Sequence, residues 1–308
     1  MSCLAAPPVN WSEVKQKLIG KPEVRAMPPW VKLPSPPVAL LHCMRKAQEP
    51  DVAPCELARI IERDAGLTCQ ILRRVNAAAE GFAQPARTID EALVRLGVRR
   101  TAMYLLTEGM QQAMRSGSSK LLNLNNFAAS NLERGLFARR LARHMGVDDE
   151  LAFASALIAD CLLPVVTNQA SRTYLRFLEG QLTTAGSLVE FEKKEFGWTH
   201  PFTTATIFSS WGFPDELVCA VALHHCCGTL AENPLLRQTT AMVVAMAALL
   251  PEQINQEPDG LLRLQRLLER FPGFDLTETA RLVEQDFQMA APDMQNPFPL
   301  SRRLARRR

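Results

Sequence analysis

Thr88-Ile89-Asp90-Glu91-Ala92-Leu93-Val94-Arg95-Leu96-Gly97 is the stretch that decides the fold class. A threonine followed three residues later by a glutamate is a capping-box pattern, in which two side chains satisfy two free N–H groups at a helix start. Ile89, Ala92, Leu93 and Leu96 then recur at the three- and four-residue spacing of one helix face. Gly97 stands where a left-handed residue closes a helix. The helical pattern begins again at once with Val98 and continues to Met114.

Outward from this pair, the same spacing recurs in both directions. Upstream it predicts helices over 11–19, 38–47, 54–61 and 67–78. Pro54 suits a first helical position, and Leu57, Ala58, Ile60 and Ile61 form a buried stripe. Asp64-Ala65-Gly66 reads as a break. Downstream it predicts helices over 127–145, 150–163 (stopped by Pro164), 186–196 and 200–211. The remaining ones span 214–227 (closed by Gly228), 235–250, 260–271 and 276–289. Asp275 and Glu278 repeat the capping pattern. Ser116-Gly117-Ser118-Ser119 reads as a joint between two sub-parts. Strand-like alternation is scarce, so the expected class is all-α.

Composition narrows the function classes. The chain of 308 residues is 47% hydrophobic but only 6% aromatic. Its longest apolar run, Met242 to Leu250, is far below the roughly 18 residues a spanning helix needs. The N-terminus shows no secretory pattern, and a cytoplasmic location is expected. None of the eight cysteines forms a C-x-x-C pair, so they read as small buried apolar residues of a reducing compartment. Net charge is +3, yet Arg302, Arg303, Arg306, Arg307 and Arg308 crowd the last seven residues, and the remainder carries −2. A nucleic-acid-binding face is therefore not expected on the body. Those five arginines are the candidates for an acidic partner, on an end expected to be disordered.

Several segments together resemble the HDOD family, relatives of the HD phosphohydrolases. The resemblance rests on Leu33-Pro34-Ser35-Pro36-Pro37, on Asp64-Ala65-Gly66-Leu67-Thr68 and on Leu72-Arg73-Arg74-Val75-Asn76-Ala77. It continues through Ile89 to Gly97, Glu192 to His200, Trp211-Gly212-Phe213-Pro214 and His224-His225. Ala65 and Ala77 replace a proline and a serine of the pattern. The match spans roughly residues 30 to 250. It implies a multi-helix bundle with an N-terminal helical part packed on a degenerate HD-like bundle. The resulting divisions are a Pro-rich extension (1–32), an HDOD domain (33–250, with sub-parts 33–115 and 120–250), C-terminal helices (251–290) and a basic tail (291–308).

The resemblance also implies a place for a metal site, and the residues there are incomplete. HD enzymes use an early His, an adjacent His-Asp pair, later His residues and a final Asp to make a metal-bound nucleophile. The early position falls in Asn131-Leu132-Glu133-Arg134, without a histidine, and His144 on the same helix lies too far along it. The pair reads Ala159-Asp160. No acidic residue lies between Asn233 and Pro251. Asp160, His200, His224 and His225 remain as vestigial ligand or cleft residues. No catalytic residue and no cofactor is expected, with a single divalent metal on those four as the alternative.

The expectation is a non-catalytic bacterial signalling module binding a protein or small ligand. Its partner would be a separate kinase, cyclic-nucleotide enzyme or response regulator. The alternatives are a residual metal-dependent phosphohydrolase acting on a nucleotide or phosphoester, and a nucleic-acid-associated regulator using the Arg-rich tail. The last requires salt-sensitive binding.

Overall fold

Thr88 caps its helix as the spacing requires. Its hydroxyl accepts the N–H of Glu91 at 3.1 Å, while the Glu91 carboxylate accepts the N–H of Arg87, one residue earlier than a standard box. Gly97 closes the helix at φ +84°, a conformation that residues with a Cβ adopt at a cost. The computed structural model describes residues 9–19, 36–77, 84–115, 119–180 and 186–305, and every regular element in them is a helix. Leu33-Pro34-Ser35, the 116–118 part of the joint and Arg306 to Arg308 lie outside the described residues.

The first part comprises α1 (Trp11–Ile19), α2 (Val38–Lys46), α3 (Pro54–Ile61), α4 (Ala65–Val75), α5 (Ile89–Leu96) and α6 (Val98–Arg115). Here α2 to α6 pack on one another, whereas α1 crosses to the second part and lies on α13 (Asp215–Ala222). An ion pair between Lys15 and Asp215 holds α1 there. The second part is built around α7 (Leu124–Met145), α8 (Asp149–Ile158) and α15 (Thr240–Ala247), which pack on one another. Every residue of α15 is buried, the pattern of a central helix. A Cβ on Gly135 of α7 would sit 3.0 Å from the Phe153 ring of α8 and 3.2 Å from its carbonyl. Glycine there allows the two helices to approach closely.

Between α8 and α13 lie α9 (Leu163–Gln169), α10 (Ser171–Gly180), α11 (Leu188–Phe196) and α12 (His200–Ser210). After α13 come α14 (Cys227–Glu232), α15, α16 (Gly260–Leu268), α17 (Leu276–Ala290) and α18 (Leu300–Ala305). The apolar stretch 149–169 is long and hydrophobic enough by composition to cross a membrane, but it is core, folded as α8, a turn and α9.

Four local expectations need correction. The break expected at Asp64-Ala65-Gly66 is present but lies earlier, over residues 62–64, and Ala65 and Gly66 already belong to α4. Asp64 is the N-cap of α4, accepting the N–H of Leu67 at 3.1 Å. The helix expected over 150–163 ends at Ile158, and Pro164 does not stop it but lies in the first turn of α9, where a proline is well tolerated. The helix expected over 214–227 stops at Ala222, and Gly228 lies inside α14, so His224 and His225 occupy a turn. The tail expected to be disordered from 291 is folded as far as Ala305. Its α18 buries Leu300 and Leu304, and the N–H of Leu300 is donated to the buried Glu133 of α7 at 2.7 Å.

Replacing a well-buried leucine by alanine costs about 2–5 kcal/mol. Leu304→Ala is therefore expected to lower the unfolding free energy by about 2 kcal/mol in urea titrations. A freely hanging tail would leave the midpoint unchanged.

Candidate functional site

Asp160 lies in the turn between α8 and α9, and its carboxylate is 1% exposed. A carboxylate so deeply buried must find charge and hydrogen bonds inside the protein. Four segments distant in sequence supply them. From α7, Arg134 donates through Nη1 to Oδ2. From the loop before α16, Gln256 Nε2 donates to the same oxygen at 2.8 Å. From the first residue of α12 and from the turn after α13, His200 Nε2 and His224 Nε2 each stand 3.3 Å from Oδ1.

Each imidazole is oriented by its other nitrogen. His200 opens α12, so its backbone N–H is one of the four that a helix start leaves free. That N–H is donated to Glu192 Oε2 at 2.7 Å, and His200 Nδ1 lies 2.8 Å from the same oxygen. The other oxygen of Glu192 accepts the hydroxyl of Tyr174 at 2.8 Å. Accepting three donors is what an ionised carboxylate does. The ring of His224 instead gives Nδ1–H to the carbonyl of Val221 at 2.6 Å. Both rings thus carry their Nε2 atoms toward Asp160. A histidine whose Nδ1–H is fixed by a carboxylate or a carbonyl is the usual arrangement of an imidazole ligand.

The protonation states follow from these contacts. Burial raises the Asp160 carboxyl, but Arg134, His200 and His224 outweigh it and hold the group well below the usual carboxylate range. Burial pulls His200 down, while Glu192 and Asp160 together push it up to about 9. Burial and the neighbouring His225 push His224 down to about 4. At neutral pH the cluster therefore holds two cations, Arg134 and His200, against two carboxylates, Asp160 and Glu192. It is electrically closed by its own side chains.

The four residues expected from the sequence do converge. Asp160, His200, His224 and His225 each offer one atom, all within 4.8 Å of one another. His225 is the least available of them. Its Nδ1 is 2.9 Å from Glu257, which also pairs with Arg263, and its Nε2 is 3.2 Å from the Gln256 side chain. Asp160 Oδ1, His200 Nε2 and His224 Nε2 make no well-formed hydrogen bond despite complete burial. These three fit a single divalent ion by donor type, since imidazole and carboxylate suit zinc, manganese or iron. Against that fit stands Arg134, a permanent cation on the other oxygen of the same carboxylate. His144 is not among the converging residues, and its ring packs on Phe274.

The residues missed from the sequence are Arg134, Glu192, Gln256 and Tyr174. Glu192 carried a signal, eight residues before His200 in a motif already singled out. Arg134 was read only as a missing histidine. Glu252, just beyond the stretch without acidic residues, stands in the field of Arg134. Burial raises its carboxyl, Arg134 lowers it, and it accepts the N–H groups of Ile254 and Gln256. At the tail, Arg303 is turned inward, its Nε donating to the Phe298 carbonyl at 2.7 Å, while Arg302 is exposed.

Comparison with known proteins agrees with this architecture. The HDOD domain model matches residues 33–227. An HDOD domain protein of unknown function from Geobacter sulfurreducens shares the fold with a TM-score of 0.61 at 18% identity, over 92% of this chain and 98% of that one. A protein from Shewanella amazonensis SB2B, provisionally named a phosphohydrolase, gives 0.62 at 19% identity, over 83% and 93%. One from Marinobacter aquaeolei VT8, provisionally named a signal transduction protein, gives 0.59 at 16% identity, over 84% and 59%. In sequence, an uncharacterized protein of Treponema pallidum (strain Nichols) is 24% identical over 199 residues, which are 63% of this chain and 37% of that relative. The chain thus spans little more than a third of the length of that relative.

The raised value of His200 has a consequence for stability. An unfolded histidine titrates near 6.5 and the folded one near 9. Between these values the folded state binds a proton that the unfolded state has lost, so stability must fall as pH rises. In chelator-treated protein, urea unfolding measured between pH 6 and 9 is expected to show this fall, and His200→Gln is expected to flatten it. Parallel profiles for the two proteins would refute the assignment.

Proposed function

The chain belongs to the HDOD domain family, and from that premise we propose that it is a non-catalytic regulatory module of bacterial signalling, acting by binding another signalling protein or a small ligand. The observation that carries this reading is the Arg134 guanidinium on Asp160. A hydrolase of the HD type uses that carboxylate to hold a metal, whose charge makes a water nucleophilic. Here the charge on the carboxylate belongs to a side chain that can neither bind water as a Lewis acid nor leave. The two remaining charges of the cluster, on His200 and Glu192, pair with each other. The partner on this reading is a separate chain, a kinase, a cyclic-nucleotide enzyme or a response regulator.

A second reading, residual phosphohydrolase activity, is favoured by the three unpaired donor atoms on Asp160, His200 and His224. Were an ion bound, Asp160 Oδ1 and the two Nε2 atoms would hold it, and it would supply an activated water.

The two readings separate in one assay. Purified protein supplied with manganese, iron or zinc is expected to hydrolyse neither a simple aryl phosphate nor a cyclic dinucleotide above the background of the metal alone. Metal-dependent turnover that His200→Gln and Asp160→Asn both abolish would replace the regulatory reading with the enzymatic one.

A further inference from the structure

Arg134 is 3% exposed, sits on α7 within the Asn131 to Arg134 stretch, and donates to Asp160 through Nη1 alone. Its Nε and Nη2 are buried without a hydrogen-bond partner. On stability grounds this is a costly placement, because a buried guanidinium normally has most of its five donors satisfied. The other side of the same carboxylate is equally unusual. Asp160 Oδ1, His200 Nε2 and His224 Nε2 converge with no well-formed hydrogen bond between them. Two sets of unsatisfied atoms therefore flank one carboxylate, a cation on one side and three potential ligands on the other.

We infer that Arg134 is a resident counter-ion that keeps divalent metal out of this cluster, and that Asp160, His200 and His224 form a latent divalent-cation site that the Arg134 charge holds closed. The inference deepens the regulatory reading above by naming the residue responsible for it. The physical basis is charge. A divalent ion on Oδ1 would lie beside a buried guanidinium on Oδ2, and the repulsion between them in a protein interior weakens binding by about a hundredfold or more. The carboxylate would also divide its electron density between two cations. The ligand geometry itself needs no rebuilding, because Glu192 and Val221 already fix the two rings with Nε2 pointing inward.

Arg134→Met removes the charge but keeps much of the volume. Arg134→His removes it at neutral pH and adds an imidazole. Arg134→Lys keeps the charge. Manganese alone is the probe, titrated calorimetrically and by its effect on thermal unfolding, so that no catalytic activity is needed. The wild type and Arg134→Lys are expected to show no saturable binding in the micromolar range and no thermal shift. Arg134→Met and Arg134→His are expected to be less stable without metal, to bind one manganese at least a hundredfold more tightly than wild type, and to regain thermal stability as it binds. Adding His200→Gln to Arg134→Met should abolish the gain.

Stoichiometric micromolar binding by the wild type, or no gain in either charge-removing variant, overturns the inference. If both variants need refolding, they are refolded with manganese present, and failure to fold under that condition overturns it too. The outcome is separate from that of the functional reading. Turnover by the wild type defeats the reading of function, whereas unchanged manganese affinity in the variants defeats only the role given to Arg134.

Discussion

The Asp160 carboxylate is buried, and the rest of the second half of the chain is arranged to make that burial tolerable. A lone ion in a protein interior costs several kcal/mol even after relaxation, and only close opposite charge with well-placed donors offsets it. The offsetting groups come from α7, α12, the turn after α13 and the loop before α16. Apolar contact among α7, α8 and α15 supplies most of the cohesion, but it is tolerant of sliding and rotation. The polar cluster is not, because each donor reaches Asp160 from only one position. Removing either member of the Arg134–Asp160 pair strands the other charge, a loss of about 3–5 kcal/mol.

The network extends outward along a second line. Glu192 ties the start of α12 to α11, and through Tyr174 to α10. Phe196 stacks on Trp198 beside it, with ring centroids 4.9 Å apart, and closes the apolar side. On α7 the residue before Arg134 is Glu133, also buried and of opposite charge. Successive helical residues point about 100° apart, so the two serve different partners. Arg134 faces the cluster, while Glu133 receives the N–H of Leu300 and so fastens the C-terminal helix. Adjacent charges on one helix thus anchor the functional cluster and the end of the chain.

The helices were legible wherever caps and periodicity act locally, as at Thr88, Gly97 and Asp275. The misreadings fall where one local signal has two meanings. Proline can stop a helix or begin one, and Pro164 begins one. The break after Ala222 carries neither glycine nor proline. Apolar spacing continues through it, and what ends the helix there is tertiary, with the His224 ring turned to the Val221 carbonyl and to Asp160. The tail misled through composition, since its arginines conceal Leu300 and Leu304, which are what dock it. For the site, the family resemblance was what gathered Asp160, His200, His224 and His225, whose convergence the structure shows. Arg134 was not legible. That a histidine is missing is a fact about one position, whereas its replacement as counter-charge depends on how α7 crosses the turn after α8, 26 residues later.

A metal and an arginine answer the same electrostatic demand with different consequences. A metal binds reversibly, competes with protons for its ligands, and brings an open coordination position where chemistry can occur. An arginine is permanently charged, covalently attached and without acceptor capacity. Exchanging one for the other keeps a positive charge on Asp160 while removing the dependence on supplied metal. An HD-like bundle with such a centre keeps its internal organisation, and on the proposed reading it acts without turnover. What selection can still act on is the outer surface of the helices, whose positions the closed centre continues to define. Regulation by binding, as proposed above, is a use consistent with such a scaffold.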